Sequence, residues 1–92
     1  MLDNSSSISQ KLDPALYQLM QSEDCPELLS VIVQTVDDPR ADDEQLVRMW
    51  KGRILERFTI IPAFVAEVSP GAIRALLLSK RIIAISNNAR LT

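Results

Sequence analysis

No histidine occurs among the 92 residues. That absence removes the commonest general base and nitrogen metal ligand, and no Ser–His or Cys–His pair can be assembled. Enzymatic activity by this chain alone is not expected, and neither is a cofactor or a bound metal. The single cysteine, Cys25, excludes an internal disulfide and cannot form a thiolate metal site by itself. It reads as a spectator thiol beside a loop. Aromatic residues are nearly as scarce: Tyr17, Trp50, Phe58 and Phe64 are all there are, so the core has to be aliphatic.

A basic stripe is missing too. Ten Lys and Arg stand against twelve Asp and Glu, the net charge is −2, and the acids gather between Glu23 and Glu44. A nucleic-acid partner calls for clustered cations and, on single strands, exposed aromatics, so none is expected. There is no run of about twenty apolar residues to cross a bilayer, and no membrane partner is expected. The start, "MLDNSSSISQ", is acidic and polar where a signal peptide is basic and then greasy.

What is present fits one compact domain with a small core. Residues 1–10, with four serines and no periodicity, are expected to be disordered. In "LDPALYQLMQS", Asp13 is a candidate N-cap and Pro14 sits at the first helical position. Leu16, Leu19 and Met20 mark one side of a short helix that ends by Pro26. "LLSVIVQTV" is a strand whose β-branched centre suits burial on both faces.

"DDPRADDE" reads as a turn and helix start, with Asp38 as cap and Pro39 at the first position. Asp42, Asp43 and Glu44 suit the positive end of the helix dipole, which accounts for the acidic run without a metal. Leu46, Val47 and Trp50 mark the buried stripe, and Gly52 is expected in the left-handed region just past the helix. "RILERFTII" alternates, placing Leu55, Arg57 and Thr59 opposite Ile54, Phe58 and Ile60, although Glu56 interrupts the second set. In "AFVAEV", Phe64, Ala66 and Val68 share one face and Ala63, Val65 and Glu67 the other. Ser69-Pro70 repeats the capping signal, "GAIRALLLSK" buries Ile73, Leu76 and Leu77, and "IIAIS" is the last strand.

The order β-α-β-β-α-β predicts an α+β, ferredoxin-like domain. Its four-stranded antiparallel sheet carries two helices on one face, with a short N-terminal helix added. The face away from the helices should be polar if it meets only water. Leu55, Ile61, Ala63 and Val65 fall there beside Arg57, Thr59 and Glu67, and such a surface implies a partner. The alternative is that the N-terminal helix, residues 13–22, folds back over part of the sheet.

"KLDPALYQL", "VIVQT", "RFTIIPAFVAEVSPGAIRALLLS" and "IIAIS" together resemble the propeptide/inhibitor family of subtilisin-like serine proteases, over about Lys11 to Ser86. The best single piece is "IIPAFVAEVSPGAIRAL". The resemblance implies an inhibitor and folding chaperone, acting on a protease in the same or a separate chain. It would form a propeptide-like domain over residues 11–88, with a C-terminal tail, 89–92, entering the active-site cleft. Matched residue by residue, the tail is Ala89, Arg90, Leu91 and Thr92. The sheet-face contacts are Arg57, Thr59, Ile61, Ala63, Val65 and Glu67. Ser86 and Asn88 stand where family members often carry acids that cap the protease's helices, so capping is implied without the charge–dipole contribution. The free domain is expected to be a monomer or weak dimer. It would be secreted if it is an excised prodomain and cytoplasmic otherwise. The competing function is a ferredoxin-like interaction domain that dimerises through its open sheet.

Overall fold

A computed structural model of the chain describes residues 11–88. The expected N-terminal region, 1–10, and the tail, 89–92, lie outside the described residues. The elements run α1 (Pro14–Gln21), β1 (Leu29–Thr35), α2 (Ala41–Met49), β2 (Arg53–Arg57), β3 (Ala63–Val68), α3 (Pro70–Leu77) and β4 (Ile82–Asn87). The sheet order is β2-β3-β1-β4 with every neighbouring pair antiparallel, so β1 and β3 hold the middle. This is the ferredoxin-like arrangement that the order of elements predicts.

Register fixes the two faces. Leu29, Val31 and Val33 stand opposite Val68, Ala66 and Phe64, and all six are buried. They form one core with Val47 of α2, Ile73 and Leu76 of α3, and Ile82 and Ile85 of β4. Both crossover helices therefore lie on the same side of the sheet. Leu16 and Met20 of α1 belong to that same core, so the N-terminal helix extends the helix layer instead of folding over the other face. Leu12 pairs in parallel with Ile85, the Asp13 N–H donates to the Ile85 carbonyl (3.0 Å), and α1 is thereby strapped along β4. Truncating the largest fully buried side chain, Phe64, to Ala would cost about 3–5 kcal/mol.

Two helix starts follow the sequence signal. Asp13 Oδ2 accepts from the Leu16 N–H (3.2 Å), and Ser69 Oγ accepts from the Ala72 N–H (3.2 Å), each with proline at the first turn. The third is displaced by two residues. Arg40, not Asp38, is the N-cap of α2, and its N–H donates to Asp43 Oδ2 (2.8 Å). Asp38 is instead held in the preceding loop, its carbonyl accepting from Arg81 Nη2 (3.1 Å). Arg81 also forks onto Asp43, with Nε 3.1 Å from both carboxylate oxygens, and it pairs with Asp37 (2.8 Å). One guanidinium thus ties the approach to β4, the loop after β1 and the first turn of α2.

The end of α2 also departs from expectation. The left-handed residue is Lys51, with φ of 65°, and Gly52 has no positive φ. The Lys51 N–H donates to the Arg48 carbonyl (2.9 Å) and the Gly52 N–H to the Val47 carbonyl (2.9 Å), the paired closure of a Schellman motif. Glycine is needed at position 52 for a different reason. A Cβ there would sit 2.8 Å from the Glu67 carbonyl oxygen and 2.9 Å from Val47 Cγ1. Lys51→Gly is therefore expected to raise stability by about 0.5–1 kcal/mol by relieving the left-handed strain. Gly52→Ala should lower it by about 1–3 kcal/mol, since strand backbone must give way. Urea unfolding of the two variants checks both, and equal shifts of one sign would contradict the assignment.

Candidate functional site

The sheet face away from the helices is the candidate site, and register decides which side chains make it. Ser30, Ile32 and Gln34 of β1 stand opposite Glu67, Val65 and Ala63 of β3. Gln34 and Ile32 also stand opposite Ala84 and Ser86 of β4. Arg53 and Glu56 of β2 complete the face beside Glu67 and Val65.

This face has two halves. At the β2 side it is charged: Arg53 Nη2 lies 3.1 Å from Glu67 Oε1, and Glu56 is next along the strand. Over β1 and β4 it is a groove of about 620 Å³. Ile32, Gln34, Ala84 and Ser86 lie along it, Phe58 and Ile61 rise on one side, and Lys11 to Pro14 bound the other.

The sequence-derived contact residues are scattered by this geometry. Glu67 is on the face, engaged with Arg53. Ala63 and Val65 are on it too but are buried, Val65 to 3 %, between Ile32 and Glu56 across the strands. Thr59 and Ile61 lie in the connection after β2, which ends at Arg57. Ile61 is 44 % exposed and reaches the groove, while Thr59 is an exposed loop residue.

Arg57 is on the opposite face, contrary to the alternation. A bulge between Ile54 and Glu56 leaves Leu55 without a partner, so Arg57 stands opposite the core residue Phe64. From there its guanidinium reaches α2, with Nη2 2.7 Å from Glu44 Oε1.

Ser86 lines the groove opposite Ile32. Asn88 continues the edge of β4, its N–H donating to the Ser30 carbonyl (3.0 Å) and its Nδ2 to Ser30 Oγ (3.2 Å). That side-chain bond uses the amide nitrogen and not the oxygen, the atom with which an asparagine caps a helix. Ala89, Arg90, Leu91 and Thr92 lie outside the described residues.

Sequence reasoning missed Ile32, Gln34, Phe58 and Ala84. The signal for β1 was present in Ser30 and Gln34, which alternate with buried neighbours, but Ile32 between them disguises it as a strand buried on both sides. Among the described residues no group of three or more His, Cys, Asp or Glu could hold a metal ion, and no helix is long and apolar enough to cross a membrane. Two of the acids near the start of α2 serve arginines instead: hydrogen bonds from Arg81 to Asp37 and from Arg57 to Glu44 hold both carboxyls below their ordinary values.

A scan against protein-family models gives no match for this chain, and no curated protein matches it in sequence.

Carboxyls held low in the folded state favour folding fully above their ordinary values of 3.8 and 4.5, and that contribution fades as pH falls through the lowered folded values. The melting temperature should therefore fall as the solution is acidified below about pH 4.5. Glu44→Gln should start lower at neutral pH and show a shallower acid limb, measured by calorimetry across pH. An unchanged limb would mean the Arg57–Glu44 pair contributes nothing.

Proposed function

We propose that this chain is a propeptide-like inhibitor and folding chaperone of a subtilisin-like serine protease. It binds through the open sheet face and inserts its C-terminal tail into the active-site cleft. The observation that carries the proposal is the uncovered face itself: both crossover helices and α1 pack on one side, leaving on the other a groove over β1 and β4 whose strand residues are uncharged. The sequence resemblance over Lys11 to Ser86 supplies the partner.

Protease surface helices would lie along that groove, burying Ile32, Ala84 and Ile61. Ser86 Oγ and the Asn88 side-chain oxygen would accept hydrogen bonds from the free N–H groups at the helices' first turns. The residues after Asn88 leave from the end of β4 and would pair their backbone with the strands lining the cleft. Binding the folded protease better than its unfolded chain draws folding forward by mass action. A second copy docking on the same surface is the competing function, and Ile60, 94 % exposed beside the groove residue Ile61, favours it.

Titration of a subtilisin-type enzyme with the full chain, followed as residual activity over hours, tests the proposal. Inhibition should appear with the full chain and vanish in a chain ending at Asn88, whose melting temperature should be unchanged. Ile61→Asp should weaken inhibition at least about tenfold without loss of stability. Val65→Asp should instead lower stability by about 3 kcal/mol or more, because its carboxylate would be buried without a partner. If no subtilisin-type enzyme is slowed while sedimentation shows a dimer that Ile61→Asp dissociates, the dimerisation function replaces the proposal.

A further inference from the structure

A second concavity lies on the helix layer, between α1 and α3, and its volume is about 460 Å³. Helical spacing builds its walls. Pro14, Tyr17 and Gln21 fall three and four residues apart on α1, and Arg74, Leu77 and Leu78 do the same at the end of α3. Leu12 and Met20, both nearly buried, also line it. Two apolar side chains that a solvated surface does not require stay open at its rim: Leu78, 77 % exposed, and Tyr17, about half exposed.

The charge of this groove is one-sided. Among the described residues, Arg74 is its ionisable cation and no carboxylate lines it. Among the described residues, Arg40, Arg48, Arg53, Arg57 and Arg81 are all held by acids, whereas Arg74 enters no such pair. A concave, mostly apolar site of this size with one convergent cation has the composition of a small-ligand pocket.

We propose that the groove binds a medium-chain aliphatic carboxylate, its hydrocarbon lying against Leu12, Met20 and Leu77 and its head group at Arg74. The apolar walls select a chain and the Arg74 guanidinium selects an anion, which it can receive with two parallel N–H donors. Leu12 borders both grooves, but Met20, Arg74 and Leu77 line only this one, so the site stands or falls independently of protease inhibition.

The test is a titration of the full chain with decanoate, read by amide NMR shifts and by melting temperature. Expected are saturable shifts confined to residues 12–21 and 74–78 and a rise in melting temperature with ligand concentration. Decanol and decyltrimethylammonium should bind at least about fivefold more weakly than decanoate, and so should decanoate to Arg74→Glu, a screened rim charge setting the scale. Leu78→Glu, at an exposed position, provides a second variant expected to weaken binding. The proposal is overturned by shifts that do not saturate, by shifts over β1 and β4 instead, or by equal affinity for decanol. It is overturned equally if the chain binds anionic phosphatidylglycerol vesicles but not monomeric decanoate, or if Leu78→Glu dissociates a dimer that fills the groove.

Discussion

Both long connections of this sheet pass over the same face, and the remaining features of the molecule follow from that constraint. A four-stranded sheet covered on one side needs only every second residue of each strand for its core. Val31, Val33, Phe64, Ala66, Val68 and Ile85 meet that need with little aromatic help. The other half of each strand is left to be decided by something other than the core. On β2 it carries charge, and on β1 and β4 it carries Ile32, Ala84 and small polar groups. Water alone does not ask for the second pattern.

The ion pairs reinforce the division. Arg81 with Asp37 and Asp43, and Arg57 with Glu44, all serve the start of α2 on the covered side. Asp43 is nearly buried, so its pair with Arg81 is weak evidence of net stabilisation, because removing two charges from water offsets most of their attraction. Its effect is geometric: Arg81 can satisfy Asp43, Asp37 and the Asp38 carbonyl together only when β4, α2 and the loop after β1 are correctly placed. With the acids drawn there, the groove over β1 and β4 has Lys11 and Asp13 as its charged lining, both on its far border.

Much of this was legible in the sequence, and the failures have definite causes. Asp13-Pro14 and Ser69-Pro70 announce their helices because a capping oxygen and a fixed φ act within four residues. "AFVAEV" sorts its faces correctly because it is a regular central strand. Arg57 does not, because a bulge adds one residue and so exchanges the faces of everything beyond it, an event that depends on the partner strand. Gly52 suggested a left-handed helix end, but the crowding that demands glycine there comes from Val47 in the preceding turn and, across the fold, from the Glu67 carbonyl and Val68, fifteen and sixteen positions along the chain. Local chemistry was readable; contacts between distant segments were not.

The edges of the sheet narrow how the domain can associate. At Ile85 the outer side of β4 is already paired with Leu12. The opposite border, β2, is short, bulged and charged through Arg53, Glu56 and Arg57, which are the usual protections of an exposed strand against pairing with another chain. Adding a partner strand at either border is therefore disfavoured. What remains among the described residues is the open face, to which the proposed function adds the residues after Asn88, and the two would use different physics. A face contributes apolar area without direction, whereas an extended segment contributes directed hydrogen bonds over a few residues. A partner that engaged only the face would tolerate sliding along the groove. One that also held the segment after β4 would fix the register, because Asn88 is itself fastened to Ser30 by both its backbone and its side chain.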